Sequence, residues 1–181
     1  KKITSKSLKK HLYTLPEKPN SIPYVTSYYK KNWGFCVAHN TLDSFNDDYY
    51  DVCVDSSLEK GSLTYGEYFI KGQVSDEILI STYVCHPSLC NDNLSGVVIA
   101  TTLAKYLSKI ETYFSYRFLF IPETIGAITW LSKNKKNLNK IKSGLVLSCV
   151  GGNEVYTYKK TRQNNSPIDK IVLNVLKKSN K

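Results

Sequence analysis

The stretch Glu77-Ile-Leu-Ile-Ser-Thr-Tyr-Val84 is an almost unbroken run of residues that favour β-strands. A run of this kind is expected of a strand covered on both faces, as in a parallel sheet flanked by helices. The segment from Ser95 to Ile110 follows, and its apolar residues recur at helical spacing, which predicts an amphipathic helix of about four turns. A buried strand followed by such a helix is the repeating unit of an α/β fold.

The same alternation continues toward the end of the chain. The predicted elements are, in order, a strand over 116–121, a helix over 125–134, a strand over 144–150, a short strand over Glu154–Tyr158 and a helix that begins near Ser166-Pro167. Proline is typical of the first turn of a helix. Strands separated by helices indicate a largely parallel sheet with helices on its faces.

The first 72 residues have a different character. Apolar spacing predicts a helix over residues 2–13, and three prolines between residues 16 and 23 exclude a long regular element after it. Residues 46–72 alternate around the turn-forming Glu59-Lys-Gly61, which predicts a half-exposed antiparallel pair. The sequence thus predicts a small, partial β-rich accessory domain with its connection over 1–72 and an incomplete α/β core over 73–181.

Composition excludes several classes of protein. The chain has 181 residues, 41% hydrophobic and 22% charged, which favours a globular fold over a disordered or fibrous one. Its apolar runs stop well short of the roughly 18 residues that a membrane helix needs. The net charge of +10 comes from scattered lysines, and only Arg117 and Arg162 are arginines. Because base and phosphate recognition favours arginine, we interpret the charge as solubilising and nucleic-acid binding as the less favoured alternative.

The cysteine count and the absence of methionine bear on location and completeness. Five cysteines are an odd number, and the visible segment has no signal peptide, so we expect reduced thiols and a cytoplasmic protein. The chain contains no Met and starts Lys1-Lys2, so we expect a fragment that lacks N-terminal sequence.

Chemically active side chains follow two of the predicted strands. His86 lies where the first strand ends, Asp92 lies in the loop that opens the next helix, and Glu123 follows the second strand directly. The crevice beyond the carboxyl ends of parallel strands is where such sheets bind ligands. An imidazole and a carboxylate at this spacing can converge on one cation, with Glu123 as a general base for its water, while Ser95 and Gly96 let the helix start pack closely.

Each residue alone has a simpler interpretation. His86 can be a hydrogen-bonded structural residue, Asp92 a helix N-cap, and Glu123 a cap or the partner of a lysine. Cys85 and Cys90 beside His86 suggest a structural zinc knuckle. We disfavour it because neighbouring strand residues point to opposite faces, so Cys85 and His86 should not reach one ion together. The joint placement on two successive strand ends favours the metal site.

These residues carry a resemblance to known enzymes. Cys85-His-Pro-Ser-Leu-Cys-Asn-Asp-Asn-Leu-Ser-Gly96 resembles the first metal motif of the zinc aminopeptidases in the di-zinc exopeptidase superfamily. The chain as a whole is more closely similar to the bacterial aminopeptidase-like domain family, whose genes often lie in surface-polysaccharide clusters. The motifs that carry this similarity are Pro23-Tyr-Val-Thr-Ser-Tyr-Tyr29, Asn32-Trp-Gly-Phe-Cys36, Gly61-Ser-Leu-Thr-Tyr-Gly-Glu-Tyr68, Ile80-Ser-Thr-Tyr-Val-Cys-His-Pro-Ser88 and Phe120-Ile-Pro-Glu-Thr-Ile-Gly126.

The resemblance implies a three-layer α/β/α zinc-exopeptidase fold with a mixed sheet. It makes His86 and Asp92 metal ligands and Glu123 the general base. Thr124 stands where the di-zinc pattern has a second ligating Glu, and Cys149 stands where it has an Asp. Both departures affect the second metal, so the resemblance implies one zinc ion.

The resemblance also implies that the chain is incomplete. It places a further His ligand beyond Lys181, because His11 and His39 both lie in the N-terminal segment and His39 is expected to pack locally. The chain is therefore expected to be the middle of a larger hydrolase, and it can be inactive on its own.

The leading hypothesis is a zinc-dependent, aminopeptidase-like hydrolase of a small peptide or another amide-bearing substrate, acting in surface-polysaccharide metabolism. The loss of residues for a second metal motivates an alternative, a non-catalytic module that binds a peptide or a sugar on the same fold. The sequence predicts no membrane partner and leaves a homo-oligomer open.

Overall fold

The computed structural model describes residues 1–27, 30–86, 89–152 and 155–179. The chain divides into two units, Lys1–Gly61 and Ser62–Lys181. The elements of the first unit are β1 (Lys2–Thr4), α1 (Ser5–Lys9), β2 (Leu12–Tyr13), β3 (Phe35–Cys36), a 3₁₀ turn (His39–Ser44) and β4 (Tyr49–Asp51). Strand β1 pairs antiparallel with β4, and β2 pairs parallel with β3.

The prediction of a helix over residues 2–13 is wrong for most of that range. Ile3 lies in β1, where it pairs with Tyr50 and is 9% exposed. Only five residues form α1, whose first turn is capped by the Thr4 hydroxyl as it accepts a hydrogen bond from the Ser7 amide. Pairing with a distant strand overrides the local helical spacing.

The second unit contains the main sheet. Its elements are β5 (Gly66–Ile70), β6 (Glu77–Tyr83), a π-type turn (Cys90–Leu94), α2 (Ser95–Leu107), β7 (Ser115–Ile121), α3 (Ile125–Lys133), a 3₁₀ turn (Lys135–Lys140), β8 (Ile141–Leu147) and α4 (Pro167–Lys178). The strand order is β5-β7-β6-β8. Strand β6 is parallel to both neighbours, and β5 runs antiparallel on the edge beside β7. The fold class is α/β with a mixed sheet.

The antiparallel pair predicted over residues 46–72 does not form. Strand β4 pairs with β1, and β5 pairs with β7 in the main sheet. Turn-forming residues between two polar-and-aromatic stretches do not ensure that the stretches pair with each other. Residues 66–70 thus add a strand to the sheet, and the domain boundary near residue 72 stays a prediction.

Apolar side chains cover both faces of β7. Phe118 is fully buried and packs in a cluster with Ile80 and with Ala100 of α2. Leu119 points the opposite way and packs with Trp130 of α3. This alternation explains why the central strands are almost continuously apolar.

The end of the third parallel strand differs from the prediction. Strand β8 ends at Leu147 and not at Val150, so the last three predicted strand residues lie in a loop. The short strand predicted over 154–158 is wrong at 155–158, which have no strand pairing, and Glu154 lies outside the described residues. The predicted C-terminal helix is confirmed as α4.

The structure also bears on the membrane and thiol predictions. No helix within the described ranges has the length and apolar character needed to cross a bilayer. Cys36, Cys53, Cys85, Cys90 and Cys149 are all free thiols.

Candidate functional site

Parallel pairing brings two strand ends together. Tyr83 at the end of β6 pairs with Ile121 at the end of β7, so the loops after them leave the sheet side by side. His86 and Glu123 lie in these loops, with 4.0 Å between His86 Nε2 and Glu123 Oε2. Asp92 Oδ2 is 3.8 Å from the same imidazole nitrogen. The structure thus brings together the three residues that the sequence singles out.

Tyr83 holds Asp92 in place. Its hydroxyl donates a hydrogen bond of 2.6 Å to Asp92 Oδ1 and lies 2.9 Å from Ser148 Oγ. Burial, and then donation to the Asp92 carboxylate, raise the pKa of Tyr83 well above its usual range. The phenol therefore remains a proton donor at neutral pH. It engages one carboxylate oxygen of Asp92 and leaves the other facing His86.

Asn93 joins three segments beneath the site. Its side chain is buried, and its amide donates to Thr82 Oγ1 at 2.8 Å and to the Tyr83 carbonyl at 3.1 Å. Its carbonyl oxygen accepts a hydrogen bond of 3.0 Å from the Cys149 amide. The peptide bond between Asp92 and Asn93 is cis. Through these hydrogen bonds, Asn93 anchors the loop that contains Asp92 to the ends of β6 and β8.

The start of α2 packs tightly against the end of β8. The Ser95 hydroxyl accepts a hydrogen bond from the Val150 amide at 3.0 Å. A Cβ atom on Gly96 would lie 2.6 Å from each of Asn93 Oδ1, the Leu147 carbonyl oxygen and Thr82 Oγ1. Such distances are too short for a side chain, so glycine is required here, in agreement with the close packing predicted from Ser95 and Gly96.

The carboxylates of Asp92 and Glu123 do not cap the helices that follow them. Helix α2 begins at Ser95, its N-cap residue is Leu94, and no side chain caps it. Helix α3 has Thr124 as its N-cap, again without a side-chain cap. The simpler interpretations of Asp92 and Glu123 as caps are therefore wrong.

The residues after the strand ends have unusual backbone angles. Thr124 has φ of 56° and Cys149 has φ of 52°. Residues other than glycine rarely adopt this left-handed region, and a β-branched residue such as Thr is a clear outlier there. Backbone strain of this kind costs on the order of 1–3 kcal/mol and concentrates at functional sites. Thr124 directly follows Glu123, and Cys149 Sγ lies 3.7 Å from the Tyr83 hydroxyl that binds Asp92.

Cys85 also faces this group, against the sequence prediction. The donor atoms of Cys85, His86 and Glu123 all lie within 4.8 Å of one another. The prediction that Cys85 and His86 point apart is wrong because β6 ends at Tyr83, and strand alternation does not extend beyond it. Burial, with the nearby negative charges of Glu123 and Asp92, raises the pKa of the Cys85 thiol.

Two open pockets adjoin the site. One has a volume of about 280 Å³ and is lined by Tyr83, Val84, Cys85, His86, Asn93, Leu94 and Val97. The other, of about 600 Å³, is lined by Asn91, Ser148, Cys149, Val150, Gly152, Val155, Tyr156 and Thr157. The first pocket therefore opens beside His86, and the second opens beside Asn91, the residue before Asp92.

The remaining histidines have local partners in the first unit. His11 stacks on Trp33 with ring centroids 3.7 Å apart, and His39 Nδ1 lies 3.0 Å from Thr14 Oγ1. The local packing predicted for His39 is consistent with this contact. Sequence reasoning missed Tyr83 and Asn93 as site residues, because a Tyr in a strand and an Asn before a helix are common without any function.

Comparison with known proteins identifies the family. Residues 5–181 match the family described as Domain of unknown function, DUF4910, and the chain belongs to that family.

Two relatives extend this finding. Over 176 residues the chain is 57% identical to a candidate polysaccharide biosynthesis protein with an aminopeptidase-like domain from Clostridium acetobutylicum, a match that covers 97% of this chain and 41% of that protein. The crystal structure of a candidate peptidase from Clostridium acetobutylicum matches with a TM-score of 0.74 at 56% identity, over 97% of this chain and 42% of that one. The chain thus spans about two fifths of the length of these relatives.

Proposed function

We propose that this chain belongs to a zinc-dependent, aminopeptidase-like amide hydrolase. The observation that carries the proposal is the position of His86 Nε2, 3.8 Å from Asp92 Oδ2 and 4.0 Å from Glu123 Oε2 at the ends of two parallel strands. The descriptions of the relatives as peptidase and aminopeptidase-like support the reaction class. The proposal includes the three-layer zinc-exopeptidase layout and a cytoplasmic location.

The donor set fits zinc. Imidazole nitrogen and carboxylate oxygen are ordinary zinc ligands, and a thiol sulfur lies beside them. Asp92 Oδ2 faces His86, while Oδ1 accepts the hydrogen bond from Tyr83. A carboxylate with one oxygen engaged in this way favours a single ion. Zinc supplies Lewis-acid polarisation of the amide carbonyl when it is bound.

The side chains at the site have different roles in this proposal. His86 and Asp92 hold the ion, and Tyr83 orients Asp92. Glu123 has a side chain that is 54% exposed, so it can accept a proton from the attacking water and pass it to the leaving amine. The smaller adjacent pocket, of about 280 Å³, favours a small substrate such as a short peptide or an amino-acylated sugar. The sugar option agrees with the polysaccharide description of one relative.

Two substitutions test the assigned roles. We expect Glu123→Gln to lower hydrolysis of an aminoacyl arylamide or an amino-acylated sugar by about 10²–10⁴-fold, because a positioned general base contributes that much. Zinc stoichiometry should stay at one ion. His86→Ala should lose the zinc, and the exposed Glu59→Gln should change neither property. The readouts are steady-state rates with added zinc and metal analysis after dialysis, both made on the full-length protein that contains this chain.

Other outcomes contradict specific parts of the proposal. Zinc content unchanged by His86→Ala would overturn the metal site. In the full-length protein, zinc bound through His86 with no turnover of any substrate tested would favour the alternative, a non-catalytic binding module.

A further inference from the structure

Cys85 is the one thiol in the described cluster of metal-binding side chains. Its Sγ lies 3.9 Å from Glu123 Oε2, and its distance to the His86 ring nitrogen is within 4.8 Å. Asp92 lies across the imidazole, 3.8 Å from His86 Nε2. The sulfur, nitrogen and oxygen donors of Cys85, His86 and Glu123 therefore form one cluster, and Asp92 adjoins it through its contact with His86.

The spacing of these donors is close to that of a zinc site. Zinc binds N, O and S ligands at about 2.0 to 2.3 Å, so tetrahedral ligands lie about 3.3 to 3.8 Å apart. The gaps of up to 4.8 Å among Cys85, His86 and Glu123 close to this spacing when side chains move by roughly 1 Å. The side chains of His86 and Glu123 are 39% and 54% exposed, and Cys85 is exposed, so rotation is not blocked by a packed core.

We propose that Cys85 is a ligand of the metal at this site, a third donor beside His86 and Asp92. The inference rests on the proposed function, which supplies the ion. A catalytic zinc normally has three protein ligands, and Cys85 brings the number within the described residues to three. The thiol loses its proton to solvent when the sulfur–metal bond forms. A thiolate also favours zinc over the hard ions Mg²⁺ and Mn²⁺.

Cobalt(II) in place of zinc gives a direct test. We expect the cobalt-loaded protein to show a near-ultraviolet thiolate-to-cobalt charge-transfer band together with visible d–d bands. Cys85→Ser should abolish the charge-transfer band and weaken cobalt binding at least about 10-fold, since even partners outside the ligand set change metal affinity by about 10–100-fold. Cys90→Ser is the matched control from the same loop and should leave the spectrum unchanged.

The outcomes separate this inference from the proposed function. Visible d–d bands without a charge-transfer band, or a charge-transfer band that persists in Cys85→Ser, reject Cys85 as a ligand and leave the metal site intact. The absence of all cobalt bands rejects both. A measurement on the unmutated protein is independent of variant folding: bound zinc should protect Cys85, but not Cys90, from iodoacetamide. Equal labelling of the two thiols by mass spectrometry would overturn the inference.

Discussion

Tyr83 shows how a residue outside the proposed ligand set can shape the candidate site. Its hydroxyl donates to Asp92 Oδ1 at 2.6 Å, so it fixes the direction of the oxygen that faces His86. We expect Tyr83→Phe to weaken zinc binding by about 10–100-fold, as is usual when such a partner is removed. Competition titration with a zinc chelator measures the change. Tyr106→Phe, on an exposed part of α2, is the control, and an unchanged affinity in Tyr83→Phe would contradict the positioning role.

Gly96 gives a second prediction at the scale of one residue. An added methyl group would meet three polar oxygen atoms at 2.6 Å, two of which belong to Asn93 and Thr82. We expect Gly96→Ala to lower the free energy of unfolding by about 1–3 kcal/mol, the usual cost of overpacking. Urea denaturation measures it. Gly66→Ala is the matched control in the same unit, because its Cβ would lie at an ordinary 3.5 Å from Phe120, and equal stability of the two variants would contradict the close packing.

Individual residues also show what sequence can and cannot predict about the site. His86, Asp92 and Glu123 could be predicted to meet because each follows a strand whose parallel pairing the apolar runs indicate. The position of Cys85 could not be predicted, because it depends on where β6 ends. Val84 continues the apolar run of β6, so the sequence does not show that the strand ends at Tyr83. Tyr83 was missed because its role comes from a contact with a loop residue nine positions away.

Helix α4 is held at its start by one buried carboxylate. Asp169 is 2% exposed, and it accepts hydrogen bonds from Tyr158, Thr161 and Ser166, the last forming a reciprocal capping box. Burial by itself would raise the pKa of Asp169. The hydrogen bonds that its carboxylate accepts, of which those from Thr161 have the largest effect, lower the pKa by more and hold it well below its usual range. The charged form is therefore the one that stabilises the helix start.

The sign of the pH dependence follows from this lowered pKa. An unfolded Asp titrates near pH 3.9, so the stabilisation is fully present above about pH 4 and fades as the pH falls toward the native pKa. We expect Asp169→Asn to be less stable than the unmutated protein at pH 7, with a difference that shrinks below about pH 4. Urea midpoints across this range measure it. Asp55→Asn, at an exposed position, is the control and should have the same urea midpoints as the unmutated protein at each pH. A loss of stability in Asp169→Asn that does not change with pH would contradict the mechanism.

Elements were predictable where local pattern and long-range pairing agree. Strands β6 and β7 and helices α2, α3 and α4 form close to their predicted limits, because buried strands and amphipathic helices each have a distinct periodicity. The predicted N-terminal helix does not form over its full length, because β1 pairs with a strand more than 40 residues away in the chain. Strand β8 was predicted three residues too far along because Cys149 and Val150 continue the apolar run, although their amides donate to Asn93 and Ser95 and not to a neighbouring strand.

The charge of the whole molecule bears on nucleic-acid binding. The net charge is +10, but lysines supply most of it. Of the two arginines, Arg117 is committed to the main sheet, where it pairs with Glu77 at 2.6 Å and also with Glu67. Its guanidinium lies over the Phe69 ring as well, 4.7 Å from the centroid. One of the two residues best suited to recognise a phosphate or a base is therefore used in the fold.

This distribution predicts a weak, non-specific affinity that salt removes. Binding through lysine–phosphate contacts releases counterions, so affinity falls steeply between about 50 and 200 mM salt. We expect fluorescence anisotropy to detect binding of labelled single- or double-stranded DNA only at the low end of this range, with no preference between unrelated sequences. Arg117→Lys should leave the DNA affinity unchanged, because that side chain faces two carboxylates and not solvent phosphate. Affinity that survives about 200 mM salt and depends on sequence would instead show that the basic surface is a recognition site.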